Sequence, residues 1–269
     1  MSMNVQEQTQ ALEEARLRAL LEETLFPSPN SVELVRTPSK DYSFRFGAKR
    51  PHIAELFQEN TKLNPYSTLS ASIKTEDYEE ARKWYFRTPY RMKESDLKPD
   101  KKEVVMWEHH DLPASLQHVF RPFSGKEEKH ELLYSVDLFM LYGDKLFKQV
   151  PNADFLWVEK KLTPPEQQLL RTAVIGDSYQ KAAAAAKIFL FFVGVPWRYM
   201  MFFGPRGYRK MMFDAGQLMG LVNEKAREAG WVPYCCQDFY DVRVDQALLM
   251  DGTERTALAI TMLTEEAIQ

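Results

Sequence analysis

RYMMFFGPRGYRKMMFDAG, Arg198 to Gly216, is the stretch on which the fold turns. Just before it lies IFLFFVGV (188–195), an uncharged run that reads as a fully buried strand ended by Pro196. Within and beyond it, Tyr208, Met211, Met212, Ala215, Leu218, Met219, Val222 and Ala226 recur at spacings of three and four. That period predicts a long helix with one broad apolar face, ending at Gly230. A buried strand, a basic glycine-containing turn and a long amphipathic helix together imply an α+β layer, with a helix packed on a sheet.

The surroundings extend the pattern. Downstream, EAGWVPYCCQDF reads as strand and loop, DVRVDQALLM as a short helix, DGTE as a turn and TALAITML (256–263) as a last strand. Upstream, LYSVDLFMLY (133–142) is a strand by its β-formers, and DKLFKQV and DFLWVEKKL continue a meander. TPPEQQLLRTAV starts a helix with Thr163 as N-cap and prolines at its first positions. SYQKAAAAAK is dominated by the best helix former. LPASLQHVF predicts a short helix beginning near Pro113. Residues 5–25 form an amphipathic pattern in which Leu12, Ala15, Leu20 and Leu21 share a face, and FPSPNS breaks it. From Val32 to Pro99 the chain is mixed and turn-rich, and DLKPDKK reads as a surface loop. No internal repeat is visible.

Composition bounds the function. The 269 residues allow one large domain or two small ones, with 45% hydrophobic and 27% charged residues, as in an ordinary soluble enzyme. A net charge of −3 does not favour a general nucleic-acid surface. Seventeen Phe, 12 Tyr and 5 Trp suit a large core or a pocket for a flat ligand. The two cysteines, Cys235 and Cys236, are adjacent and offer no disulfide framework. They read as packing rather than as a nucleophile, and the reducing cytoplasm is the expected location. MSMNVQEQTQALEEARLRALLEE is polar and unlike a secretory signal, and IFLFFVGVPW is too short to span a bilayer as a helix. There is no glycine-rich phosphate loop, GxSxG, HExxH or CxxC. His109 and His110 adjoin Glu108 and Asp111, but adjacent residues do not readily ligate one ion. A solvated loop is expected there, and no metal.

Several pieces in order carry a resemblance: the strand at 188–195, Arg206 to Arg209, Asp214 to Gly216, Ala226 to Gly230, and Asp238 to Asp241. This series resembles the C-terminal half of the nitroreductase-like flavoproteins, most of all the SagB-type azoline dehydrogenases of ribosomal-peptide pathways. Upstream, FQENTKL (57–63) is similar to the Tyr-His-Glu-x-(Ser/Thr)-Lys piece that opens those proteins. The resemblance implies an α+β nitroreductase-like fold, with a central antiparallel sheet and packed helices. It implies a homodimer or heterodimer with flavin mononucleotide (FMN) at the interface, and a peptide-derived substrate. It also divides the chain into a helical or mixed extension (1–110) and a flavin domain (111–269).

The resemblance also implies site residues. Lys101, Lys102, Arg206 and Arg209 would offset the flavin phosphate. Arg121, Ser124 and Gly125 loosely match an Arg…Pro-Ser-Gly-Gly segment near the flavin ring, Gln217 lies on the long helix, and backbone N–H groups around Asp238 would face the ring's reactive edge. The family's Lys-Tyr pair before the turn is Phe202–Phe203 here, so general-base help from that spot is gone. Those rings would instead line an apolar substrate pocket, with Tyr199 or Tyr208 as candidate proton carriers. A second implication is a catalytically silent subunit that pairs with an active relative or carries a peptide.

Overall fold

The computed structural model describes residues 57, 74–92, 106–123, 128–151 and 153–268. The expected helix at 5–25, the DLKPDKK loop and the FQENTKL piece beyond Phe57 fall outside them, as do Lys101, Lys102, Ser124 and Gly125. The chain divides into compact units at Met1–Glu59 and Asn60–Gln269, and the elements below belong to the second.

A seven-stranded sheet organises this unit. Its strands are β1 (Met106–Glu108), β2 (Val136–Tyr142), β3 (Lys145–Gln149), β4 (Phe155–Lys161), β5 (Ile188–Gly194), β6 (Val232–Cys236) and β7 (Thr256–Thr264), in the spatial order β1-β4-β3-β2-β5-β7-β6. Every pairing is antiparallel. The expected meander is present: β2 turns into β3 at Gly143, whose φ of 63° suits glycine, and β4 follows. The helices are α1 (Thr75–Met92), α2 (Ala114–Phe120), α3 (Pro164–Arg171), α4 (Asp177–Ala185), α5 (Trp197–Phe203), α6 (Arg206–Glu228) and α7 (Asp241–Leu248). Thr163 caps α3 as expected, in a capping box with Glu166.

β5 lies between β2 and β7, and all its residues are buried. A strand pleat sends alternate side chains to opposite faces, so a run this apolar needs cover on both. Leu190 and Phe192 join Val136, Leu138 and Met140 of β2 under Met211, Leu218 and Val222 of α6. Phe189, Phe191 and Val193 join Phe139 and Leu141 under Ala182 and Ala183 of α4 and Val244 and Leu248 of α7. Each such side chain stabilises the fold by about 1.5–3 kcal/mol relative to exposure.

The long helix differs from the sequence expectation in two ways. Met212 does not share the apolar face; it is 46% exposed, and Leu221 is buried instead. Adjacent residues sit about 100° apart on a helix, so Met211 and Met212 cannot both point inward along a narrow stripe. The turn expected at Arg206 to Arg209 is instead the first turn of α6. A separate short helix, α5, precedes α6, and Gly204 at φ 55° with Pro205 forms the corner between them.

Candidate functional site

The corner between α5 and α6 gathers Tyr199, Phe202, Phe203, Arg206, Tyr208 and Arg209. Gly207 sits against α5 so closely that a Cβ there would lie 2.6 Å from the Met200 nitrogen and 2.6 Å from the Tyr199 carbonyl carbon. The glycine of the Arg-Gly-Tyr-Arg turn therefore permits a backbone-to-backbone approach. That approach fixes where Tyr199, Phe202 and Phe203 point.

Tyr199 is buried and donates its hydroxyl to Asp214 Oδ2 at 2.7 Å. Ser135 Oγ donates to the same oxygen at 2.8 Å, and Tyr78 of α1 donates to the Tyr199 hydroxyl at 3.5 Å. Burial pushes the Tyr199 phenol far above its ordinary range, and its bonds to Tyr78 and Asp214 add to the shift. Burial likewise raises the Asp214 carboxyl, against the hydrogen bonds from Tyr199 and Ser135. Tyr199 is thus held as a protonated donor within a polar seam. Lys210 lies over the rings of Phe203 and Tyr199, at 4.6 and 5.5 Å, and contributes cation–π attraction.

Phe202 and Phe203 do not line an open pocket among the described residues. Both are buried, and the Tyr78 ring packs edge-on to them at centroid distances of 5.9 and 5.1 Å. The Lys74 amide donates to the Phe202 carbonyl and ties the start of α1 to this corner. The expectation of an apolar substrate pocket is therefore replaced by a filled aromatic cluster. The two phenylalanines complete a core that the tyrosines of α1 and the segment before β2 close from outside.

The other sequence candidates separate into two ends of the molecule. Arg206, Tyr208 and Arg209 are half-buried in the first turns of α6, which holds no acidic residue in its first turn. A helix N-terminus carries partial positive charge, so two arginines there make a strong local preference for an anion. Arg121 follows α2, beside Lys225 near the other end of α6. His118 of α2 bonds Glu228 there at 2.8 Å. At a rise of 1.5 Å per residue, Arg121 is separated from Arg206 by roughly 28 Å along the helix. Gln217 is exposed on α6. Asp238 is exposed in the loop after β6, its carbonyl accepting the Ile175 amide at 2.8 Å and the Cys236 thiol at 3.1 Å.

His109 departs from the expected solvated loop. It begins a 3-10 turn after β1, and its ring Nε2 lies 2.9 Å from Gln149 Oε1. Burial lowers its pKa, against that hydrogen bond. His110, Glu108 and Asp111 are exposed, and no group of three or more potential metal ligands occurs among the described residues. Cys236 is buried and Cys235 half-buried, both as free thiols. Sequence reading missed the Asp214 seam and the role of Tyr78, because Tyr78, Ser135 and Asp214 are distant in sequence and meet only through α1, the segment before β2 and α6.

No protein-family model matches the sequence, and no curated protein matches it. Solved structures do. One is a protein from Anabaena variabilis described as a nitroreductase, at a TM-score of 0.57 and 15% identity over 80% of this chain and 46% of that one. This chain thus spans less than half of that protein's length. Another is the E. coli microcin synthetase McbBCD complex with truncated pro-MccB17 bound, at 0.49 and 14% identity over 93% of this chain and 98% of that one. A third, from Ralstonia eutropha and also described as a nitroreductase, has a TM-score of 0.46 and 13% identity over 64% of this chain and 81% of that one. The fold is the nitroreductase-like α+β fold, as the resemblance implied. No helix among the described residues is long and apolar enough to cross a membrane.

Proposed function

We propose that this chain is an FMN-dependent oxidoreductase, a divergent relative of the SagB-type azoline dehydrogenases, acting in the cytoplasm on a peptide-derived or other natural-product intermediate. The observation that carries this reading is the first turn of α6 in a nitroreductase-like fold. It presents Arg206 and Arg209 on a positive helix end with no carboxylate in that turn, which fits a phosphoryl group. Lys101, Lys102, Ser124, Gly125, Arg121, Gln217 and the backbone around Asp238 remain proposed further contacts. FMN supplies the electron chemistry when bound, and the chain's residues orient substrate and exclude water. Tyr208, half-buried on α6, remains a proposed proton carrier beside Tyr199. Tyr199 is committed to Asp214. The flavin interface requires a second subunit, identical or related. The exposed Trp197, Met200 and Met201 of α5 and Met212 and Phe213 of α6 are the apolar side chains we assign to that contact.

One observation favours the catalytically silent reading. The position of the family's Lys-Tyr pair holds two buried phenylalanines sealed by Tyr78, so no side chain there accepts or donates a proton. Flavin occupancy separates the two readings. The doubly substituted Arg206→Ala, Arg209→Ala protein should lose most of its bound flavin while keeping its far-UV circular dichroism. Unchanged occupancy would refute the assignment of these arginines.

A further inference from the structure

Asp137 of β2 is 2% exposed and meets three cations from three separate elements. Its Oδ1 accepts a hydrogen bond from Arg198 of α5 at 2.9 Å. Its Oδ2 accepts from Lys148 of β3 at 2.8 Å and from Arg255, just before β7, at 3.4 Å. Asp137 is the one ion-pair partner of each cation among the described residues. Three positive charges therefore face one negative charge in a region where Arg198 and Lys148 side chains are only 17% and 18% exposed. Uncompensated charge at such depth is costly unless an anion completes it.

The donors show where the anion belongs. Arg198 is fixed: it also donates to the Tyr134 carbonyl at 2.9 Å and stacks 4.9 Å from the Tyr85 ring centroid. Lys148 and Arg255 are held more loosely. Both lie against the Phe139 ring, at 5.6 and 5.5 Å, and among the described residues their one side-chain hydrogen bond each goes to Asp137. Arg255 Nε is buried with no acceptor among the described residues. The rest of the Arg255 side chain is 37% exposed.

We propose that Lys148 and Arg255 form a phosphoryl-binding site above Phe139, with the Asp137–Arg198 pair as its fixed floor. A dianion cancels the twofold charge surplus, whereas a carboxylate leaves half of it. The Arg255 guanidinium offers N–H donors to phosphoryl oxygens, and Lys148 adds a point charge. The site is distinct from the first turn of α6, and its existence does not depend on the flavin reading. Its ligand is free phosphate or the phosphoryl end of a nucleotide such as FMN.

The test uses the full-length protein stripped of flavin, titrated with inorganic phosphate at constant ionic strength and followed by calorimetry and thermal unfolding. Phosphate should bind saturably and raise the midpoint, and acetate at the same concentration should not. Arg255→Gln and Lys148→Gln, each checked for native circular dichroism, should weaken phosphate about tenfold or more. Lys161→Gln, which removes an exposed cation paired with Asp144, should leave it unchanged. Competition by FMN but not riboflavin, abolished in Arg255→Gln, would identify the nucleotide phosphoryl as the source; binding indifferent to FMN would identify free phosphate. The proposal is overturned if acetate matches phosphate, if Arg255→Gln binds like wild type, or if Lys161→Gln weakens phosphate as much as Arg255→Gln does.

Discussion

Asp137→Ala should destabilise the fold by about 3–5 kcal/mol, because it leaves buried cations without their counter-ion. Against a total stability of about 5–15 kcal/mol, that is a large loss. The carboxylate accepts from Arg198, Lys148 and Arg255, and Arg198 in turn holds the Tyr134 carbonyl ahead of β2. Removing it frees three cations to repel one another at the start of a central strand. The pH dependence follows from the same contacts. Burial alone would raise the Asp137 carboxyl, but Lys148 and Arg198 outweigh it and bring the pKa from the ordinary 3.8 down to about 2. A depressed carboxylate stabilises the folded state at pH above its unfolded value and loses that contribution as pH falls from 3.8 toward about 2. The amount at stake over that window is about 2 kcal/mol. Denaturant midpoints for wild type and Asp137→Ala should therefore converge in acid. Parallel curves down to pH 2 would contradict the depressed Asp137 carboxyl.

Gly207→Val should be the most damaging substitution in α6, while Gly216→Ala and Gly220→Ala, on the same helix, should stabilise it. Glycine inside a helix costs about 0.5–1 kcal/mol relative to alanine, so propensity alone favours replacing all three. Space decides otherwise at one of them. A Cβ at Gly216 or Gly220 meets nothing within 4 Å, whereas at Gly207 it meets the backbone of Tyr199 and Met200 at 2.6 Å. Backbone cannot swing aside as a side chain can, so overpacking here costs about 3 kcal/mol or more. The strain falls on the α5–α6 corner that holds Tyr199 against Asp214. For a unit of this size, each kcal/mol moves the thermal midpoint by about 2–4 °C, so the opposite signs are readily resolved. A destabilised Gly216→Ala would contradict the packing described.

The sheet and its helices were largely legible in the sequence because their patterns are local. IFLFFVGV has no polar residue to place on a solvent face, and Thr163 with Glu166 writes its own capping box. The short helix α5 was not legible, because seven residues carry too little period to mark a helix ahead of the turn. Met212 was assigned inward because hydrophobicity marks candidates for burial without fixing the angle of the stripe. The site was less legible. Asp137, Lys148, Arg198 and Arg255 are an unremarkable acid and three unremarkable cations in sequence, and only antiparallel pairing of β2 with β3 and β5, and of β5 with β7, collects them at one sheet end. Phe202–Phe203 showed what chemistry had been lost, but not that Tyr78 would fill the space beside them.

The central claim, that this fold holds a flavin anchored at the first turn of α6, is tested most directly by the visible absorbance of the purified protein before and after denaturation. The expected result is a yellow protein that releases FMN on unfolding, with the colour lost in Arg206→Ala, Arg209→Ala. A colourless protein that takes up no FMN on reconstitution, either alone or with a related subunit, would contradict it.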